Sequence, residues 1–211
     1  CTASGSDIDA DGYTWNYAWS YEDPASGGTG SLTSTGNAYE LVLTPTSVQP
    51  GWKITCTATI EDDHGATDDM TATVTVGNSA PSIDTLTLAA SPTPAKTNSL
   101  LTCTATASDP DDDGSSAPTL SYTWTNVTTS TDITGATTNS SGASELQLSA
   151  STAQPDDKIQ CTATATDTGS LTATDTISTT IGNTAPTVSS SSLTPSTAYN
   201  NTKLTCTANI T

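Results

Sequence analysis

The chain has 211 residues, and its 22 acidic residues against four lysines give a formal net charge of −18. Such a surface repels nucleic acid and anionic membranes, because both are bound through Lys and Arg. No segment reaches the 18 or more apolar residues of a membrane span, so composition excludes nucleic-acid binding and membrane insertion within this sequence.

The chain repeats itself from its first residues onward. Cys1-Thr-Ala is the end of an element that recurs around Cys103 and Cys206, and a Lys-Ile-x-Cys element contains Cys56 and Cys161. Both elements give a period of about 100 residues, the size of one β-sandwich domain. The sequence therefore predicts part of a tandem array. Residues 1–77 form a repeat without its leading strands, 78–182 a complete repeat, and 183–211 the two leading strands of a further repeat.

Every patterned segment alternates with period two. The first is the aromatic row Tyr13, Trp15, Tyr17, Trp19 and Tyr21. The segments that start at Ile54, Leu101 and Ile159 then alternate apolar residues or Cys with Thr and Gln. This alternation is typical of half-buried antiparallel strands with an apolar inner face. We therefore predict an all-β chain.

The cysteines fall into two classes by their place in the repeat. Cys1, Cys103 and Cys206 form one class, and Cys56 and Cys161 form the other. Pairing across the classes predicts the disulfides Cys1–Cys56 and Cys103–Cys161, with no partner for Cys206 within this sequence. Disulfides indicate an oxidising, extracellular compartment. The alternative is five buried free thiols.

A tryptophan lies between the paired cysteines of each repeat, Trp19 in the first and Trp124 in the second. The order Cys, Trp, Cys resembles that of the immunoglobulin sandwich, where the indole packs against the disulfide between the sheets. Along its whole length the chain resembles tandem immunoglobulin-like or PKD-like repeats of large secreted microbial surface proteins. The resemblance implies tandem Ig-like antiparallel β-sandwiches in a linear array. This sequence departs from the pattern by a long, acidic gap between Cys103 and Trp124.

Two acidic runs are candidate calcium sites. Asp7, Asp9 and Asp11 precede Gly12, and Asp109, Asp111 and Asp113 precede Gly114. Alternate carboxylates before a glycine turn can surround a hard cation. An EF-hand is excluded because its twelfth position needs Glu, and Ala18 and Leu120 stand there. The alternative is a pair of solvated acidic turns.

Four sequons make Asn126, Asn139, Asn200 and Asn209 candidate N-glycosylation sites. Asn139 is preferred because it lies in a Ser-, Thr- and Gly-rich loop. Outward threonines and the loop 128–144 are candidates for O-linked sugar, although threonine also simply suits exposed strand positions.

No catalytic function is expected. The acidic residues 61–63, 68 and 69 surround a predicted turn at His64-Gly65, but the second repeat has Asp167-Thr-Gly169 there, so the cluster is not part of the shared scaffold. The sequence contains no nucleophile elbow, P-loop, nucleotide fingerprint or zinc spacing.

These patterns together predict a structural repeat of an extracellular fibre, fibril or stalk on a microbial cell surface, with neighbouring repeats of the same protein as partners. One alternative is an adhesin that binds glycan or protein, with the aromatic row stacking on sugars if it is exposed. The other is a set of accessory repeats in a secreted hydrolase.

The two ends are expected to complete sandwiches with residues outside this sequence. Residues 186–211 carry Leu193, Leu204 and Cys206 in the pattern that opens the complete repeat. We expect the polypeptide to continue rather than separate chains to exchange strands. Residues 206–211 duplicate the register of residues 1–6, so a donated strand competes with one already present.

Overall fold

The computed structural model describes residues 1–8, 12–115 and 117–210. Within these ranges the chain forms strands and no helix. The strands are β1 (Tyr13–Glu22), β2 (Thr29–Leu32), β3 (Lys53–Asp62), β4 (Thr67–Thr75), β5 (Ser82–Ser91), β6 (Leu100–Ser108), β7 (Thr119–Asn126), β8 (Thr131–Ile133), β9 (Thr137–Thr138), β10 (Ser144–Gln147), β11 (Lys158–Thr166), β12 (Thr172–Thr180), β13 (Val188–Thr194) and β14 (Thr205–Ile210).

The complete repeat contains two four-stranded sheets. One has the order β5-β6-β10-β9 and the other β12-β11-β7-β8. Period-two alternation places one apolar face of each sheet toward the other. The core between them contains Ala95, Leu101, Cys103, Trp124, Leu146, Leu148, Ala153, Ile159, Cys161 and Ile181. The prediction of an all-β chain of antiparallel sandwich repeats is confirmed.

In the part of the first repeat that the structure describes, the strands form one four-stranded sheet, β2-β1-β3-β4. These strands correspond in sequence to the β8-β7-β11-β12 sheet of the complete repeat. β13 and β14 form a separate two-stranded sheet, and they correspond to β5 and β6.

By contacts the chain divides into two compact units. One contains Cys1–Thr85, Ala105–Ser121 and Ala163–Asp175, and the other contains Leu86–Thr104, Tyr122–Thr162 and Thr176–Thr211. The predicted repeat boundaries at residues 77 and 182 stay predictions.

Two disulfides each join one cysteine of the first class to one of the second class within a repeat. Cys1 is bonded to Cys56 and Cys103 to Cys161, which are the pairs that the repeat comparison predicts. Cys103 and Cys161 are completely buried beside Trp124. Cys206 is an exposed free thiol.

We expect the double variant Cys103→Ala/Cys161→Ala to lose about 4 kcal/mol of unfolding free energy, since its disulfide closes a loop over a sequence separation of 58. Urea unfolding under non-reducing conditions measures this loss. Cys206→Ala is the matched control and should change stability by less than about 0.5 kcal/mol, because its thiol is exposed. Equal unfolding midpoints for the two variants would contradict the prediction.

Candidate functional site

The aromatic row of β1 lies on the inner face of the first sheet. Antiparallel pairing sets Trp19 opposite Cys56, Tyr17 opposite Ala58 and Trp15 opposite Ile60. Cys56 and Ala58 are buried, so the rings share the face that turns toward the interior of a sandwich. On this face Trp15, Tyr17, Trp19 and Tyr21 are half-buried, and Tyr13 is exposed.

This inner face is only partly covered in the described part of the chain. β4 continues it with Met70 opposite Ala58 and Val74 opposite Ile54, yet Met70 is 78% exposed and Val74 60% exposed. A cavity of about 590 Å³ lies between this face and residues 1–7, with Trp15, Ile60 and Met70 in its lining. We call this surface, formed by the inner faces of β1, β3 and β4, the open face.

Asp111 of the second acidic run and Asp167 accept hydrogen bonds from residues at the start of the complete repeat. Asp111 Oδ2 accepts a hydrogen bond from the Ser79 amide at 2.5 Å, and Asp167 Oδ2 accepts one from Asn78 Nδ2 at 2.8 Å. Asp109 Oδ1 accepts the Asp111 amide at 2.7 Å. The predicted ligands Asp109 and Asp111 therefore lie close together, and they also hold the chain where the repeat begins.

One oxygen in this cluster has no hydrogen-bond donor. Asp109 Oδ2 is buried and unpartnered, although such atoms usually find a donor or a cation. A cavity of about 20 Å³ adjoins it, with Gln49, Asn78, Asp111 and Asp167 among its lining residues. This volume suffices for one water-sized occupant.

The remaining predicted ligands are placed differently. Asp113 Oδ1 accepts both the hydroxyl and the amide of Ser115, and the hydroxyl contact is the main cause that lowers the pKa of Asp113. In the first run Asp7 lines the cavity of the open face, while Asp9 and Asp11 lie outside the described residues. Within the described ranges no three Asp, Glu, His or Cys side chains converge to hold a metal ion.

The acidic residues near His64 build a turn. Asp62 Oδ1 accepts the amides of Ala66 and His64 at 2.9 and 2.8 Å, and these bonds lower the pKa of Asp62, with Ala66 contributing most. Asp167 in the second repeat accepts the Leu171 amide in the same way. The carboxylates therefore stabilise equivalent hairpin turns.

The four sequon asparagines differ in accessibility. Asn126 is 4% exposed, and its amide nitrogen donates to Asp157 Oδ2 at 2.8 Å, so this environment leaves no room for a glycan and argues against Asn126. Asn139 caps a turn and donates to Glu145 at 2.8 Å, and Asn209 donates to Ser190 from within β14. Asn200 is exposed in the loop between β13 and β14, and Asn209 is exposed too.

Sequence reasoning did not find the interaction that Asn126 makes. Asp157 Oδ2 also accepts the Gln154 amide, and Asn126 Oδ1 accepts the Thr128 amide. At the matching positions of the first repeat Tyr21 stacks on Trp52, with ring centroids 4.7 Å apart. Aligning the repeats pairs Asn126 with Tyr21 and Asp157 with Trp52. Both positions change from aromatic to polar between the repeats, and this joint change could have indicated from the sequence that the two residues are in contact.

Comparison with known proteins gives a likeness to solved structures. No family model matches the chain and no curated protein matches it. A solved structure described as "Crystal structure of tetra-tandem repeat in extending region of large adhesion protein" shares 16% identity, and the match covers 92% of this chain and 54% of that one. This chain thus spans about half the length of that structure. The TM-score is 0.35, so the likeness carries no weight in assigning function.

No helix in the described ranges is long and apolar enough to cross a membrane.

Replacing Asp157 with Ala should destabilise the complete repeat by about 1–3 kcal/mol, because it removes the 2.8 Å acceptor of the buried Asn126 amide, which keeps only the longer bond to the Thr152 carbonyl, and the acceptor of the Gln154 N–H. Thermal or urea unfolding of the full chain measures the change. Asp132→Ala is the control. Asp132 is exposed and its carboxylate accepts a hydrogen bond from the Thr125 hydroxyl at 3.2 Å, so a loss of similar size in this variant would contradict the prediction.

Proposed function

We propose that this chain is a structural repeat of an extracellular fibre, fibril or stalk on a microbial cell surface, built as Ig-like or PKD-like sandwiches. The observation that carries the proposal is the repeated, disulfide-bonded sandwich. The same Cys, Trp, Cys arrangement recurs with a period of about 100 residues, and Cys103–Cys161 crosses the core beside a buried Trp124. Such disulfides belong to oxidising compartments outside the cytosol.

The chain's composition supports a mechanical role rather than a chemical one. The outer strand faces are rich in Thr and Ser, and the acidic carboxylates near His64 serve hairpin turns. We therefore assign no catalytic step to this chain. The short segments Gly77–Pro81 and Gly182–Pro186 connect the repeats, and a proline in each restricts the backbone.

The adhesin alternative rested on an exposed aromatic row. The rings of β1 lie on the inner face, opposite the buried Cys56 and Ala58, and four of the five are half-buried, which favours a part in the fold over an outward sugar-binding platform. The fibre proposal is favoured for this reason. Covalent glycans belong to the proposal as well, and we prefer Asn200 as the N-linked acceptor because it is exposed in a loop whereas Asn209 lies in a strand.

Immunogold electron microscopy of the native material tests this role, with an antibody raised against the exposed segment 134–138, which contains β9. We expect label along the whole length of filaments. Label confined to filament tips would support the adhesin instead, and label only on soluble protein would support the hydrolase. The native chain's intact mass should also exceed its polypeptide mass, and equality would contradict glycosylation.

Calcium is a second part of the proposal. The buried, unpartnered Asp109 Oδ2 beside the carboxylates of Asp111 and Asp167 supports a cation there. Oxygen ligands of this kind suit calcium, and extracellular modules bind it with dissociation constants of about 0.1–1 mM. Asp113 bonds Ser115 instead, so Asn78 and Asp167 would replace part of the predicted ligand set.

Ten millimolar calcium is then expected to stabilise the full chain by about 1.4–2.7 kcal/mol through mass action. Differential scanning calorimetry should show a raised melting temperature. Asp109→Asn should lose this shift, and the exposed Asp132→Asn should keep it. A melting curve that calcium leaves unchanged would mean that both runs are only acidic turns.

A further inference from the structure

The end of the complete repeat is held by backbone hydrogen bonds on one side. β12 ends at Thr180, and Ile181 follows it with a completely buried side chain. The Ile181 amide donates to the Asp157 carbonyl at 2.8 Å, and the Ile181 carbonyl accepts the Asp156 amide at 2.7 Å. Asp157 is itself buried, and its carboxylate accepts a hydrogen bond from the Asn126 side chain. Ile181 is therefore fastened to the polar network around Asp157.

The next two residues are held from another side, by the turn between β5 and β6. The Gly182 amide donates to the Ala95 carbonyl at 2.8 Å, and Lys96 and Gly182 form a parallel β-bridge. The Lys96 ammonium donates to the Asn183 carbonyl at 2.5 Å. Asn183 belongs to the segment Gly182–Pro186 that leads out of the repeat. Hydrogen bonds thus hold three consecutive residues, 181 to 183, to the repeat.

Lys96 lies in a turn that is itself anchored in the repeat. Its amide donates to the Ser99 hydroxyl at 2.8 Å, and the Ser99 amide donates back to the Lys96 carbonyl at 3.0 Å. Ser99 is completely buried, and its carbonyl accepts the Leu148 amide at 2.9 Å. The hairpin β13–β14 has the same turn with Tyr199 and Thr202 in these two places. The turn therefore forms without a lysine, which leaves the lysine side chain for its contact with the outgoing chain.

The outgoing chain lies directly against this turn. A Cβ atom on Gly182 would be only 3.3 Å from the Lys96 ammonium and 3.4 Å from the Ala95 carbonyl oxygen. Glycine therefore permits this close approach. The bond beyond it joins an ammonium to a carbonyl, and a charge-assisted hydrogen bond of this kind is stronger than a neutral one.

We propose that Lys96 is a latch that keeps the outgoing chain fastened to the complete repeat under tension. This inference rests on the mechanical role proposed above. Tension that arrives along the chain from residues beyond the repeat reaches the bond between Asn183 and Lys96 first. It reaches the Gly182 amide next and the buried Ile181 last. While the latch holds, the pull does not act on Ile181 or on the core around it.

Single-molecule force spectroscopy of the full chain, held by tags at its two ends, tests the latch. Lys96→Met keeps a long side chain but removes its donor. Forced unfolding is governed by the unfolding rate. At constant force we expect this variant to unfold the complete repeat about tenfold faster, which corresponds to about 1.4 kcal/mol. The closed Cys103–Cys161 disulfide fixes the length of chain that is released and so identifies the event.

Lys158→Met is the matched control. Lys158 is an exposed lysine of β11, and its side chain makes no hydrogen bond or ion pair within the described ranges. This variant should unfold at the wild-type rate. A wild-type rate for Lys96→Met, or equal effects of the two substitutions, would overturn the latch.

A second pulling geometry separates a latch from a lysine that merely stabilises the fold. A handle on Ser170→Cys, in the exposed turn between β11 and β12, pulls on the repeat without loading residues 181–183. Cys206→Ser is present in every chain of this arm, so that the handle reacts only at position 170. In this geometry Lys96→Met should not change the unfolding rate, and an equal acceleration in both geometries would overturn the latch. Either failure would leave the fibre role untouched, because immunogold labelling of filaments tests that role independently.

Discussion

The rest of this structure depends on one requirement, that each apolar sheet face be covered by a second sheet. In the complete repeat this is met. Leu101 and Cys103 on one sheet and Trp124 and Cys161 on the other have almost no exposed surface. In the first repeat one sheet carries the same inner face, and Met70 and Val74 on it are exposed. Covering such a face removes apolar surface from water, and each Å² that is covered stabilises the sandwich by about 25 cal/mol.

Because many core residues are small, the disulfides contribute a large share of the stability of each repeat. Alanines such as Ala163 and Ala165 are buried but contribute little apolar area. The large contributions come from a few side chains around Cys103–Cys161, with Trp124 foremost. The Trp124 indole donates to Ser144 at 2.9 Å and so links β7 to β10 across the sandwich. In the first repeat the Trp19 indole donates to the Ala38 carbonyl, which links β1 to the segment that matches the start of β10 in sequence.

Much of this fold follows from period and repetition. Alternation predicts β1, β3, β6 and β11, and the two cysteine classes predict which strands the disulfides join. The pattern does not show whether a face is covered, because coverage depends on strands distant in sequence. The aromatic row of β1 therefore had two interpretations until its register with Cys56 and Ala58 was known.

Local motifs were a weaker guide to the candidate sites, for a physical reason. A sequon specifies three residues and says nothing about burial, so Asn126 fits the pattern while its amide bonds Asp157 inside the repeat. An Asp-x-Asp-x-Asp run fixes spacing but not side-chain direction. Asp109 and Asp111 lie beside Asn78 and Ser79, whereas Asp113 bonds Ser115.

The two repeats also show which features the scaffold fixes and which it leaves free. Backbone bonds at the start of the β3 and β11 strands are equivalent: Gly51 donates to Val76, and Asp156 donates to Ile181. Beside them the side-chain pair changes its chemistry completely, from Tyr21 stacked on Trp52 to Asn126 bonded to Asp157. Changing one member alone would leave either a buried polar group without a partner or a ring without a surface to stack on. The pair must therefore change together, and its identity distinguishes one repeat from the next while the strands around it stay the same.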